Sequence, residues 1–510
     1  MRSKKALLNF MASILELLVA TIASFVVPHY IIHAYGSTVN GLISSITQFL
    51  SYIALVESGI GAIGRASLYK PLADNDNETI SGNAKALENF YQKIAYIFLL
   101  YVAILSILFP LLVDKEFSWA YSATLIVILA FSTFIQYYFG ITCQTVIQAD
   151  QRKYIPSLLQ ALTLFLNMII TVIMIKLGAS VHMVKIGSAL AYAVRPMILY
   201  WYVKKHYKID KNAEPRNEIL KQRWDGLAQH IAFFIHKNTD IAVLTILVNV
   251  NEVSVYSVYM LAVAGCSKVV NLFSSNIEPA FGNMIAKGEK DILKKRVSMC
   301  STLTIQVAVA LFSTAALVIS PFVQIYTKGV TDVNYLRPSF GILMLIAEAF
   351  YCIRLPYQST VYAAGHFKQT RNGAIAEAAI NIVLSVVLVY KFGLIGVAIG
   401  TLVSMLIRTI QYIWYYYINL IEDKMGILFE LKRLLVSLIE ITIFIVISLI
   451  IPSIKITKYT TWFAYSLCTG LFCSFVIVVF SFIFYKEQCK DIIHILHNLI
   501  RKKKHKSPLV

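Results

Sequence analysis

The sequence predicts an all-α integral membrane protein of about fourteen transmembrane helices. Three observations predict it. Of 510 residues, 58% are hydrophobic and only 14% charged, with a mean hydropathy of +0.68; soluble domains run nearer a quarter charged. The apolar residues form continuous runs of about 20 or more, the length that crosses a bilayer as a helix. They do not alternate with polar residues as barrel strands do. Lysine and arginine, finally, collect in alternate loops, as they do in multi-pass proteins.

In chain order the expected spans are 6–34, 39–64, 88–113, 118–147, 155–177, 181–203, 227–249, 253–285, 297–326, 338–364, 372–390, 394–421, 434–452 and 460–485. The first follows "MRSKK". It is too long for a signal-peptide core and lacks a small-x-small cleavage pattern, so it reads as a membrane helix. The longer runs would tilt or project beyond the bilayer. Residues 66–87 and 206–226 are polar enough to be cytoplasmic connectors, and Asn77-Glu78-Thr79 is then a glycosylation sequon in pattern only. The tail, 486–510, places Ile492, Ile493, Leu496, Leu499 and Ile500 on one helical face ahead of "RKKKHK". It reads either as an interfacial amphipathic helix on an anionic leaflet or as a solvated tail.

With the N-terminus inside, the cytoplasmic loops hold 32 of the 46 lysines and arginines and the outer loops seven. That asymmetry predicts both termini on the cytoplasmic face. The net charge of +19 therefore reflects topology, not nucleic-acid binding. The seven cysteines are scattered without a CxxC pair, so neither a disulfide framework nor a zinc site is expected. "GIGAIG" (59–64) matches GxGxxG but follows no strand; small residues there suit close helix packing. There is no Walker A sequence and no catalytic constellation. An enzyme, a cofactor and a metal are not expected.

An internal repeat organises the chain. "VRPMILYWYV" ends span six and "IRTIQYIWYY" ends span twelve. Arg195 matches Arg408, Trp201 matches Trp414 and Tyr202 matches Tyr415 at a common offset of 213. Asn167 and Asn381 agree within one further residue. An offset of six helices preserves direction through the membrane, so the repeat is parallel. It predicts an N-lobe (1–205, spans 1–6) and a C-lobe (227–421, spans 7–12), with 422–485 (spans 13 and 14) outside the repeat. Transporters built this way bind substrate between halves that rock against each other.

Ionisable residues inside spans carry the functional reading, because each costs roughly 2.5–3.5 kcal/mol at mid-membrane and marks a substrate path. Lys237, Lys268, Arg354 and Arg408 lie well inside their spans, with Lys185 and Arg195 in span six. "FFIHKNTDIAVL" (233–244) sets His236, Lys237 and Asp240 on one helical face. Two readings fit it: a locally paired Lys–Asp, or a polar stripe lining a central cavity. Lys93, Glu377 and Glu440 lie near expected helix ends, where long side chains snorkel. Glu57 and Glu278 are candidates for ion coupling.

The stretches 54–76, 233–244 and 362–412, the last containing "FGLIGVAIGT" and the Arg408 helix, resemble the Wzx-type polysaccharide flippases of the multidrug/oligosaccharidyl-lipid/polysaccharide (MOP) exporter superfamily. The resemblance implies a MATE-like fold and the flipping of an undecaprenyl-diphosphate-linked oligosaccharide to the outer leaflet of a bacterial cytoplasmic membrane. It implies lipids as partners, and a polysaccharide polymerase or glycosyltransferases nearby. Lys237, Lys268, Arg354, Arg408 and Arg195 would bind the diphosphate, with Asp240 and His236 beside them. A multidrug exporter and a lipid II flippase are the alternatives; span one lacks the arginines of the lipid II flippases.

Overall fold

The computed structural model describes residues 2–57, 60–113, 117–210, 212–218, 227–274, 277–450 and 456–491. Among the described residues every regular element is a helix. In order these are α1 (Arg2–Tyr35), α2 (Ser37–Ser51), α3 (Ala54–Glu57), α4 (Ile60–Asp74), α5 (Asn77–Leu112), α6 (Trp119–Ile135), α7 (Ile141–Ala149), α8 (Tyr154–Lys176) and α9 (Val181–His206). There follow α10 (Leu227–Leu247), α11 (Val250–Ser274), α12 (Glu278–Ala286), α13 (Lys290–Tyr326), α14 (Pro338–Ala363), α15 (Phe367–Phe392), α16 (Leu394–Tyr415), α17 (Lys424–Ile450) and α18 (Tyr459–Phe484). Single π turns, Gln136–Gly140 and Tyr416–Leu420, join α6 to α7 and extend α16.

Among the described residues, eleven helical segments are long and apolar enough to cross a membrane. Leucine, isoleucine and phenylalanine side chains stand exposed along them, Leu111 at 72% and Phe475 at 67%. The chain is a multi-pass membrane protein. Each of the fourteen expected spans falls on a helix, but α9, α10 and α17 are not among the eleven. Lys185 and Arg195 dilute the apolar run of α9, and α10 and α17 include side chains outside the described set.

Two expected spans are broken. The run 39–64 is helical to Ser51, turns at Tyr52 and Ile53, continues as α3 to Glu57 and is helical again as α4 from Ile60. The run 253–285 divides into α11 and α12. The expected connector 66–87 is largely helical, with the Asp76 carboxylate capping α5 through the Thr79 N–H at 3.0 Å. That cap holds the Asp76 carboxyl below its usual range. The amphipathic part of the tail, 492–510, lies outside the described residues, as do 219–226 of the connector.

The chain forms two compact units. Unit 1 is Met1–Ser257 with Gly329–Val333; unit 2 is Val258–Lys328 with Asn334–Val510. In unit 1, α1 lies along α8, and its start is latched to the α7–α8 turn. Lys5 donates to the Asp150 carboxylate at 3.1 Å, and Asn9 both donates to the Gln151 carbonyl and accepts from the Tyr154 N–H. Tyr207 and Arg152 complete the set around Asp150 at 2.8 and 2.7 Å. α10 packs on α2 through Ser45–Thr245 (2.7 Å) and Gln48–Asn238 (2.6 Å). At Gly41 a Cβ would stand 1.7 Å from the Val250 carbonyl oxygen, so only glycine permits this approach of α2 to α11.

In unit 2 a tyrosine-rich core (Tyr357, Tyr412, Tyr416, Tyr417) joins α14, α16 and the following π turn. α17 is fastened to α13 by Arg433, which is 1% exposed. Its guanidinium donates to Glu430 at 2.7 Å, to the Ser298 carbonyl and hydroxyl at 2.7 and 2.9 Å, and to the Ser301 and Thr302 hydroxyls. By sequence Arg433 counts among the cytoplasmic-loop cations, one residue short of span thirteen. The structure corrects this: α17 begins at Lys424, nine residues before it. Removing one member of a buried ion pair strands the other, at a cost of about 3–5 kcal/mol. Arg433→Ala should therefore lower thermal stability and membrane abundance strongly. The double variant Glu430→Gln/Arg433→Met should recover much of the loss in a thermal-unfolding series; a loss equal to the sum of the singles would show the two act separately.

Candidate functional site

The helix from α6 through the π turn into α7 carries one polar face: Ser132, Thr133, Gln136, Gln144, Thr145 and Gln148. A π turn widens a helix and re-aims the side chains after it. Here it lets both Gln136 and Gln144 point the same way. At Gly140 an added Cβ would meet the Gln136 side chain at 2.8 Å and the Pro196 Cβ at 3.0 Å, so glycine sets the closeness of α9. On α9 the stripe Lys185, Ser188, Tyr192, Arg195 follows helical spacing. It faces Asn167 and Thr171 of α8: Asn167 donates to the Tyr192 hydroxyl at 3.3 Å, and Ser188 meets Thr171 at 3.4 Å.

These faces border an open polar cavity of about 490 Å³ within unit 1. Arg65 of α4, Glu57 of α3, Arg195 and Tyr192 of α9, and Gln136, Gln144, Gln148 and Gln160 line it. Arg195 donates to Gln144 at 2.8 Å, and its Nε is buried without a partner. Arg65 reaches Gln148 at 3.5 Å. A guanidinium has five N–H donors, so both cations retain donors for an anion. The Glu57 carboxylate accepts from the Tyr137 hydroxyl at 2.9 Å. Glu16 of α1 also acts electrostatically on Arg195.

The residues singled out by sequence are not gathered in one place. Arg195 and Glu57 line the cavity. Asp240 is buried in unit 1 and accepts from Tyr256 at 3.1 Å. The side chains of His236 and Lys237 lie outside the described residues. In unit 2, Lys268 and Glu278 are exposed.

Arg354 and Arg408 are buried in unit 2 on the two sides of Glu377, with contacts of 2.6 and 3.4 Å. Arg408 also donates to the Thr370 carbonyl, to Gln411 and to the Tyr412 hydroxyl. Glu377 is therefore not a snorkelling helix-end residue but the shared counter-ion of two arginines, 6% exposed; Glu440, at 0%, is buried as well. Lys93 is exposed, as a snorkelling lysine should be. Sequence reasoning missed Arg65, which lies one residue past the expected span 39–64, and the four glutamines, because only ionisable residues inside spans were weighed. The spacing of the glutamines along 136–160, in and between spans four and five, was the available signal.

Comparison with solved structures places this architecture. The lipid II flippase MurJ, in an inward closed conformation, matches with a TM-score of 0.70 at 16% identity, covering 95% of this chain and 99% of that one. A eukaryotic MATE transporter matches with a TM-score of 0.58 at 13% identity, covering 81% and 94%. An inward-facing multidrug-resistance MATE transporter of the MOP superfamily matches at 0.57 and 14%, covering 80% and 97%. The chain has their fold. At such identities the fold is what is shared. No protein-family model and no curated protein matches the sequence.

The two arginine settings should respond differently to mutation. Glu377→Ala strands two buried cations and should cost about 3–5 kcal/mol. Arg195→Ala removes a cation from a hydrated cavity and should change stability by no more than about 1 kcal/mol. Thermal unfolding of the purified variants checks this. An equal loss in both would place Arg195 in the structural core.

Proposed function

We propose that this chain is a flippase for a polyprenyl-diphosphate-linked oligosaccharide, acting in cell-surface polysaccharide biosynthesis. The observation that carries the reading is the unit 1 cavity. Arg65 and Arg195 present planar N–H arrays suited to a diphosphate. Gln136, Gln144, Gln148 and Gln160 offer amides that both donate and accept, the chemistry sugar hydroxyls need. A cavity of about 490 Å³ holds on the order of sixteen waters. That is room for a diphosphate and an adjoining sugar, with the prenyl chain left in lipid.

The likeness in fold to a lipid II flippase, over 95% of this chain, supports a lipid-linked substrate and makes a lipid II flippase the second reading. In the proposed scheme the lobes 1–205 and 227–421 alternate access. The excess of loop cations supports cytoplasmic termini, and the resemblance implies a bacterial cytoplasmic membrane. Glu57, beside Arg65 and Arg195, is the better placed of the two proposed ion-coupling carboxylates. Lys237, His236 and Lys268 would add to the anion path. Arg354 and Arg408 would join it only in a state that frees them from Glu377.

The test is reconstitution in vesicles with labelled polyprenyl-diphosphate glycan, lipid II and, separately, a cationic dye. Glycan lipid should cross, and Arg195→Ala should slow it about tenfold or more, the equivalent of one lost charge-assisted hydrogen bond, at unchanged abundance. Transport of lipid II alone would move the assignment to the second reading. Dye efflux without lipid movement would overturn both.

A further inference from the structure

A second polar cluster lies in unit 2, apart from the cavity. Glu440 on α17 is fully buried, and neither carboxylate oxygen has a hydrogen-bond partner among the described residues. Ser437, one turn earlier, is 4% exposed with its hydroxyl likewise unpartnered. From α13 the Gln306 amide, 7% exposed, lies against the carboxylate near enough to interact with it, though without good hydrogen-bond geometry. Apolar side chains box the cluster in: Ile305 and Val309 of α13, Ile441 and Phe444 of α17, Cys473 and Ile477 of α18.

Among the described residues no basic side chain compensates Glu440. Along α13 the nearest charged residue is Arg296, about 15 Å away at the helical rise. α18 carries no charged residue, only Tyr459, Tyr465, Cys468 and Cys473 among titratable groups. Arg433, two turns earlier on α17, is held by Glu430. Tyr485 spends its hydroxyl on the Arg433 carbonyl at 3.5 Å. On α14 and α16, Arg354 and Arg408 share Glu377, and Glu348 of α14 is a further acid. Tyr357, Tyr416 and Tyr417 gather around the Glu430 end, where Tyr417 donates to Glu430.

An ionised carboxylate in such surroundings is costly unless a positive charge joins it. One carboxylate balances one unit of charge, and the donor set is all oxygen: Glu440 Oε1 and Oε2, Gln306 Oε1 and Ser437 Oγ. Hard cations take oxygen ligands. We propose that Glu440, Gln306 and Ser437 form a site for one monovalent cation, a proton or a sodium-class ion, on the seam between α13 and α17. Loading the site neutralises the carboxylate and holds α17 against α13; emptying it leaves a bare charge that loosens the seam. The site gives the helices outside the repeat an ionic input independent of the substrate cavity.

The experiment is thermal unfolding of the purified full chain in detergent, wild type against Glu440→Gln. One arm raises pH in choline chloride. The other replaces choline with Na⁺ at alkaline pH. In the wild type Tm should fall by a few degrees as pH rises, since the neutral carboxyl is lost. Recovery in Na⁺ identifies a sodium-class ion; no recovery identifies the proton. Glu440→Gln, which has no charge to neutralise, should show neither response. Gln306→Leu and Ser437→Ala should weaken the wild-type response and serve if Glu440→Gln does not accumulate. Identical pH and Na⁺ responses in wild type and variants, or none in the wild type, would overturn the site and leave buried water or simple packing as its content.

Discussion

The constraint on which the rest of this structure depends is the cost of placing charge in hydrocarbon. A lysine, arginine or carboxylate within a span must be compensated by an opposite charge, by hydrogen bonds or by water. The chain meets that demand for its cations in two ways. Arg354 and Arg408 share Glu377, and Arg433 is paired with Glu430 and bonded to three hydroxyl side chains of α13. Arg65 and Arg195 instead open onto a cavity roomy enough for water. Glu440 has no counter-charge among the described residues. The same residue type thus serves as a structural tie in one place and as an available binding group in another. What distinguishes the cases is the neighbour on the next helix.

Compensation also explains why polar ties accompany the apolar packing. Within a bilayer there is little hydrophobic drive to bring helices together, so interhelical hydrogen bonds and close small-residue contacts do more of the work. Ser45–Thr245, Asn40–Ser254 and Asn381–Thr401 are ties of the first kind. Gly41 against Val250 and Gly140 against Pro196 are contacts of the second kind. The Gly140 contact sets the spacing of α9 at the cavity, where arginine and glutamine side chains from four segments of chain line one space.

The architecture was legible in the sequence because span length and composition are local quantities. A run of apolar residues bounded by loop cations needs no partner to be recognised, and each expected span falls on a helix. The breaks after Ser51 and Ser274 were less visible, since the hydrophobic run continues through them. The site was legible only in part. Arg195 was found from its repeat position, and Glu57 from its place in a span. The Arg354–Glu377–Arg408 set was not found, because its members sit on three helices and no spacing rule connects them. Arg433 and Glu430, by contrast, are an i,i+3 pair that a longer α17 would have revealed.

The central claim is that the cavity cations, not the carboxylate-compensated ones, receive the anion. The most direct measurement is a structure of the full chain with a bound polyprenyl diphosphate. The diphosphate is expected within hydrogen-bond distance of Arg65 and Arg195, with Glu377 still between Arg354 and Arg408. A diphosphate bound at Arg354 and Arg408, with Glu377 displaced and the unit 1 cavity empty, would contradict the account.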